Sequence, residues 1–341
     1  MPSSETLVTV SRGDLIECLH RGHIVVVDHK GDLLYSLGNP HYVTYARSTA
    51  KPIQAIAVVE SGAAHQFTSV EIALMCASHN GELEHVQTVL DLLFKIGLTP
   101  TQLQCGVHDP FYKPASDLLK RQQILPSTLH NNCSGKHVGM LALANYWNHP
   151  LTHYTSLAHP VQQRMLTIFA EMACLEKNQI IIGTDGCGVP VYGLHLRNLA
   201  LAYARIGSPE ELSNTRAEAC RKIISAITEN AYHLAGTDRF DTRLIQVTQG
   251  KLIGKMGAEG VYAISVPSLG WGIAIKVDDG AERALYPTAM ETLTQLGLLN
   301  HDQQLELANF HHPNVKNWEM TQVGHITPIF NLKSNQLDIK S

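Results

Sequence analysis

The pattern of apolar and polar positions changes twice along the chain. Residues 23 to 37, HIVVVDHKGDLLYSL, alternate β-forming side chains about a Lys30-Gly31-Asp32 turn, which predicts a hairpin. From Ser48 to about Leu234 the text turns mostly helical. Candidate helices run over 53–62, 69–77, 82–95, 115–123, 136–147, 161–173, 194–205 and 209–233, separated by Gly, Pro and Asn. The segment IIIGTDGCGVPVYG (180–193) interrupts them with a short β-prone run and a loop too rich in glycine to be helical. Strand signals return at 243–248, 252–255, 261–266 and 271–277, and an amphipathic helix is expected at 282–297. The polar tail, 309–341, is expected to wrap the surface.

These elements predict an α/β fold of the α+β kind in a single domain, 1–341. N- and C-terminal strands (about 1–45 and 238–300) pair in one mostly antiparallel sheet, with the helical middle (about 46–237) beside it.

Composition narrows the functional classes. Of 341 residues, 44% are apolar and 16% charged, with a net charge of -4, as in a soluble globular protein. No cluster of Lys and Arg suits nucleic acid, whose binding requires counterion displacement from phosphates. No apolar run reaches the roughly 18 residues that span a bilayer, and MPSSETLVTV lacks a basic segment followed by an apolar one. A cytoplasmic protein with no membrane partner is therefore expected. Seven scattered cysteines suit reduced thiols better than a disulfide framework.

The chemistry concentrates in ARSTAKP (46–52). In a helix a +3 spacing turns about 300° and rises about 4.5 Å, so Lys51 would stand one turn above Ser48 on nearly the same face. Pro52 is tolerated only near a helix start, where free N–H groups favour an oxyanion. Lysine can take a serine proton if burial or a neighbouring charge, such as that of Arg47, depresses its pKa. The plainer alternative is an N-cap serine and a solvated lysine. This is the only S-x-x-K in the chain, and Ser78-His79-Asn80 is its only S-x-N. Lys255-Met256-Gly257 follows as K-x-G, so the three elements imitate the set of penicillin-recognising serine enzymes. Ser78 and Lys255 could then form a second hydroxyl-amine pair; a turn serine and an ordinary strand lysine are the alternative.

Two polar loops each hold one cysteine, Asn131-Asn132-Cys133-Ser134-Gly135-Lys136-His137 and Thr184-Asp185-Gly186-Cys187-Gly188-Val189-Pro190. The spacing admits a thiolate nucleophile at Cys133, metal ligands, or small buried residues, and it leaves the small buried residue ahead, since two thiolates fall short of a four-ligand zinc pattern. Asp185 could hold a substrate ammonium or simply form a turn. The nineteen histidines show no H-x-x-x-H or other ligand spacing on a predicted helix.

Taken together, ARSTAKP, SHNGE (78–82), NNCSGKH, GTDGCGVP, AGTDRFDT (235–242) and GKMGAEG (254–260) resemble the asparaginase II family of the Rhizobium etli type, over nearly the whole chain. The resemblance implies a fold similar to glutaminases and serine β-lactamases, a homodimer, and hydrolysis of L-asparagine. By motif, Ser48 would be the nucleophile with Lys51 its base, and Ser78 with Lys255 the second dyad. Cys133, Lys136 and Cys187 would bind one zinc ion, while Arg47, Asp185 and Asn80 would help to hold substrate. The chain departs from the pattern at Ala235-Gly236, where a glycine pair is expected. A penicillin-recognising hydrolase, a glutaminase, or a zinc-stabilised binding protein are the competing readings.

Overall fold

The structure, a computed structural model, describes residues 3–335. It separates into two compact units: a sheet unit from the residues up to Thr49, Leu194–Ser208 and those from Arg243 on, and a helical unit from Ala50–Gly193 and Pro209–Thr242.

In the sheet unit seven strands lie in the order Asn314–Lys316, Gln322–Pro328, Glu5–Arg12, Leu15–Asp28, Trp271–Val277, Val261–Val266, Ile253–Gly257. Leu33–Leu37 and Lys333–Ser334 pair off this path. The ladders are antiparallel. Leu15–Asp28 is long because one edge serves two partners. Its first half pairs with Glu5–Arg12 and its second with Leu33–Leu37, while the opposite edge pairs with Trp271–Val277. Ile24 to Val27 and every residue of Val261–Val266 are buried. Such continuous apolar runs need cover on both faces of a sheet. The Leu196–Gly207 and Glu282–Gln295 helices supply it.

Leu196–Gly207 comes so close to its strand that a Cβ at Gly272 would stand 1.8 Å from the Ala200 carbonyl oxygen and 2.5 Å from the Ala204 nitrogen. Those are backbone atoms and cannot swing aside. Gly272→Ala should therefore cost about 1–3 kcal/mol as an overpacked contact. The measurement is the urea midpoint at constant slope, and an unchanged midpoint would contradict this packing.

The predicted 23–37 hairpin forms as Leu15–Asp28 with Leu33–Leu37. The strand expected at 243–248 does not: Phe240–Val247 is a helix. Phe240 and Leu244 are buried four residues apart, a helical spacing that a short β-branched run conceals. The tail differs too, because Gln322–Pro328 is an interior strand paired with Glu5–Arg12 rather than a wrapping segment. The rest of the tail beyond 335 lies outside the described residues. Helix 194–205 was expected with the helical middle; the observed Leu196–Gly207 belongs to the sheet unit.

In the helical unit, Lys51–Glu60 is buried from Lys51 through Val58. Pro160–Met172, Asn214–Glu229, Ser134–Tyr146 and Ser69–Met75 pack around it. The 180–193 interruption is a hairpin that pairs Ile181–Thr184 with the strand beginning at Pro190.

Candidate active site

The candidate residues fall in both units, and each group is built by its own unit. In the helical unit, Pro52 occupies the first turn of the Lys51–Glu60 helix as expected, and the helix is capped by Ala50 without a side-chain hydrogen bond. Ser48 is therefore not the N-cap; it lies in the short 3-10 turn Arg47–Ala50. Lys51 is 1% exposed, so it is not a solvated first-turn lysine either. Its Nζ lies 2.6 Å from the Ala77 carbonyl oxygen, 2.8 Å from Ser78 Oγ and 3.4 Å from the Asn132 carbonyl oxygen. Burial pushes the amine below its ordinary pKa of 10.5, helped by the charge of Lys136 and opposed by Cys133 and Cys187. Nζ donates to the two carbonyls and to the Ser78 hydroxyl, and it also meets the Cys133 side chain. The pairing joins Lys51 to a serine that the motifs had assigned to Lys255.

Ser78 follows the Ser69–Met75 helix, and its N–H donates to the Leu234 carbonyl at 3.0 Å. His79, fully buried, fixes the next residues. Gly81 N–H donates to its Nδ1 at 3.1 Å, so Nε2 carries the proton and meets Ser134 Oγ at 2.8 Å. Ser134 Oγ donates in turn to the Leu129 carbonyl at 3.1 Å. Desolvation holds His79 well below the ordinary histidine pKa, so this link stays neutral.

Asn80 spends its amide on protein. Its Nδ2 donates to the Thr237 carbonyl at 2.9 Å and to Glu82 Oε1 at 3.2 Å, and Arg239 donates to its Oδ1 at 3.1 Å. Glu82 also accepts from the Thr237 N–H and hydroxyl. The AGTDRFDT loop is thus tied down by the SHNGE segment. Gly236, at φ +117°, leaves only 2.5 Å between a would-be Cβ and Glu82 Oε1. One glycine of the expected pair therefore suffices for this close approach.

In the sheet unit, Arg47 holds a left-handed backbone at φ 50°, a conformation uncommon for any residue but glycine. Thr49 Oγ1 donates to the Ala46 carbonyl at 2.7 Å and Tyr203 OH to the Thr49 carbonyl at 2.8 Å, which fixes the turn that carries Ser48. Lys255 is buried in the Ile253–Gly257 strand, with Nζ donating to the Met256 carbonyl at 3.0 Å. A Cβ at Gly257 would meet the Ala46 carbonyl oxygen at 2.9 Å and Thr49 Cγ2 at 3.1 Å. Gly257, two residues after Lys255, thus brings its strand against the Ser48 turn.

The two cysteine loops converge within the helical unit. Cys133 stands at the head of the Ser134–Tyr146 helix, its N–H donating to Asn131 Oδ1 at 2.8 Å. Lys136 Nζ donates to Cys187 Sγ at 3.2 Å, and Asp185 Oδ2 lies 3.9 Å from both Lys136 Nζ and Cys187 Sγ. A hydrogen bond from Cys133, with the Lys136 charge, draws Cys187 down to about 5; Cys133 is pushed up to about 12. The Lys136 ammonium beside Cys187 thus favours the thiolate there. Among the described residues no group of three or more His, Cys, Asp or Glu gathers at metal-binding range. The donor set here is completed by a lysine. Two sulfurs and an amine, buried and converging, fit a zinc ion provided both thiols and the amine give up their protons. Asp185 shapes its own loop, accepting from Gly186 N–H at 2.9 Å.

Sequence reasoning did not find His79 with Ser134, nor His137 with Tyr154 OH at 2.7 Å. Their partners lie 55 and 17 residues away, and a lone histidine carries no spacing signal. Arg239, within AGTDRFDT, holds the Asn80 side chain in place.

The sequence model of the family described as L-asparaginase II matches residues 8–328. No curated protein matches the chain. Among solved structures it is similar to Mglu in its glutamate form, at 13% identity and TM-score 0.49, with 83% of this chain and 62% of that one covered. It is also similar to a beta-lactamase from Mycobacterium bovis, at 13% identity and TM-score 0.39, covering 85% and 95%. A third similarity is to the D-alanine carboxypeptidase AmpC from Burkholderia cenocepacia, at 13% identity and TM-score 0.38, covering 82% and 93%. The chain thus spans less than two thirds of the length of Mglu. These likenesses are too distant to carry chemistry across. Among the described residues no helix is long and apolar enough to cross a membrane.

Proposed function

Because the chain belongs to the L-asparaginase II family, we propose that it is an amidohydrolase that cleaves L-asparagine to L-aspartate and ammonia through an acyl-enzyme on Ser48. The observation that carries the reading is the state of Lys51. This lysine, three residues after Ser48, is buried with its pKa lowered, and its Nζ lies 2.8 Å from the hydroxyl of Ser78, the relay serine of the proposal.

Lys51, three residues after Ser48, accepts the serine proton as Oγ attacks the side-chain amide carbon. Backbone N–H groups at the helix start meet the oxyanion. The proton passes from Lys51 towards Ser78 Oγ and on to the departing nitrogen, which leaves as ammonia. Water then cleaves the aspartyl ester, and the same amine takes its proton. Lys255 supports the transfer from its buried strand. Arg47 and Asp185 orient the α-carboxylate and α-amino groups; Asn80 acts by holding the AGTDRFDT loop.

Cys133, Lys136 and Cys187 would hold a zinc ion, which when bound supplies a fixed positive charge beside the substrate site. Loading with zinc is expected to reach about one equivalent per chain and to be lost in Cys133→Ala, with weaker substrate binding. Elemental analysis with KM measured alongside checks this; a metal-free protein with unchanged KM would remove zinc from the account. The family resemblance also supports a homodimer, and the chain's composition a cytoplasmic location.

A second reading is favoured by one distance. Lys51 Nζ contacts Ser78 Oγ directly, so Ser78 could itself be the activated alcohol. Ammonia release from asparagine and glutamine side by side, with nitrocefin as a third substrate, tests the reaction class. Asparagine should be preferred by about 10- to 200-fold, the worth of one methylene. Asparagine binding without turnover, or nitrocefin hydrolysis in its place, would reject the proposal.

A further inference from the structure

The Glu282–Gln295 helix meets the Gln322–Pro328 strand beside a cavity of about 340 Å³, at the small end of the range for small-molecule sites, roughly 300–1,000 Å³. Tyr286, Pro287, Phe310, Pro313 and Ile326 make its apolar wall. The Tyr286 and Phe310 rings stand edge to face with centroids 6.0 Å apart, and with two proline rings they suit a flat apolar group. Glu282, Arg283 and Asn309 border the same cavity, and none of the candidate catalytic or zinc residues lines it.

The start of this helix is unusual. Arg283 lies in the first turn, where a cation opposes the helix dipole. Its Nε donates to His20 Nε2 at 3.0 Å, so the ring proton of His20 sits on Nδ1 and is donated to Asp279 Oδ2 at 2.6 Å. His20 is 3% exposed, and the guanidinium is thus held from behind by a buried imidazole. Among the described residues Arg283 makes no ion pair, and Glu282 has neither an ion-pair nor a hydrogen-bond partner. The two opposite charges border one cavity without pairing with each other. Pro287, inside the helix, has no N–H to give to the Arg283 carbonyl four residues before it, so the regular helix bond there is missing. Residues four apart share a helix face, and both of these line the cavity.

We propose that this cavity is a binding site for an α-amino acid with an aromatic side chain. Arg283 takes the α-carboxylate on its terminal nitrogens, while Glu282 and the Arg283 carbonyl take the α-ammonium. The ring enters between Tyr286, Phe310 and the two prolines. A zwitterionic head group meets both charges at once, whereas a simple amine or a simple carboxylate meets only one. The Asp279–His20 pair behind Arg283 fixes the fork before the ligand arrives, so less freedom is lost on binding. The site goes beyond the amide-hydrolysis reading and does not depend on it. It is read by heat of binding, and its failure leaves the reaction, read by ammonia, untouched.

Isothermal titration calorimetry of the full chain with L-phenylalanine tests it, with L-aspartate present throughout to occupy an asparagine-cleaving site. One equivalent per chain should bind. Phenethylamine, which lacks the carboxylate, and hydrocinnamate, which lacks the ammonium, should each bind at least about tenfold more weakly, as loss of a hydrogen bond to a charged group does. Arg283→Ala and Glu282→Gln should weaken phenylalanine by a similar factor. Both side chains are exposed, so these variants keep the fold and release ammonia from asparagine at the wild-type rate. Phenylalanine that does not bind at millimolar concentration, that binds Arg283→Ala as tightly as the wild type, or that is matched by phenethylamine or hydrocinnamate would each overturn the proposal.

Discussion

Lys51→Met is expected to lower kcat for asparagine by about 10³-fold or more, in the upper part of the range for loss of a general base. Methionine fills nearly the same apolar stem, so the packing of the Lys51–Glu60 helix survives and the loss reads the amine itself. The pH profile sharpens the prediction. The working form is neutral, and burial holds the pKa of this amine below 10.5. Activity should therefore rise with pH through that lowered pKa and level off above it, and fall as acid protonates the amine. In Lys51→Met the residual activity should lose this limb. The same sign applies to stability: a lysine depressed by burial costs the fold nothing above the unfolded-state pKa of 10.5, and the cost grows as pH falls from there to the folded pKa. A Lys51→Met enzyme that keeps both rate and limb would show that another group takes the proton.

Ser48→Ala is expected to lower kcat by about 10⁴-fold or more, as loss of a nucleophile does, with thermal unfolding unchanged. Ser48 is half-buried in a turn whose hydrogen bonds are made by Thr49, Ala46 and Tyr203 rather than by Ser48 itself. Its hydroxyl is thus expendable for folding. Ser78→Ala should cost less, because the relay it offers to Lys51 can be replaced by water. Reversal of that order, with Ser78→Ala the deeper loss, would favour the second reading and make the 2.8 Å contact the primary pair.

Much of this was legible in the sequence, because it rests on local rules. Pro52 marks a helix start whatever the tertiary context, and the Lys30-Gly31-Asp32 turn fixes a hairpin register. S-x-x-K, S-x-N and K-x-G are short enough to be read by eye. The cysteines of two loops 54 positions apart in number converge, but only the family resemblance anticipated it. What stayed hidden depends on partners distant in the chain. Phe240–Val247 reads as a strand until one sees that its apolar positions face one buried side. Gln322–Pro328 is polar enough to pass for a surface tail, yet Glu5–Arg12 lies beside it and buries Ile326. The cross-pairing of Lys51 with Ser78 could not be read from motif order, because order along a chain does not fix which hydroxyl faces which amine.

The most direct test is to quench the enzyme with acid during asparagine turnover and locate the acyl group by peptide mass spectrometry. An aspartyl ester on Ser48, absent from Ser48→Ala and scarce in Lys51→Met, is the predicted result. An ester on Ser78, on Cys133, or on no residue at all while ammonia is being released, would contradict it.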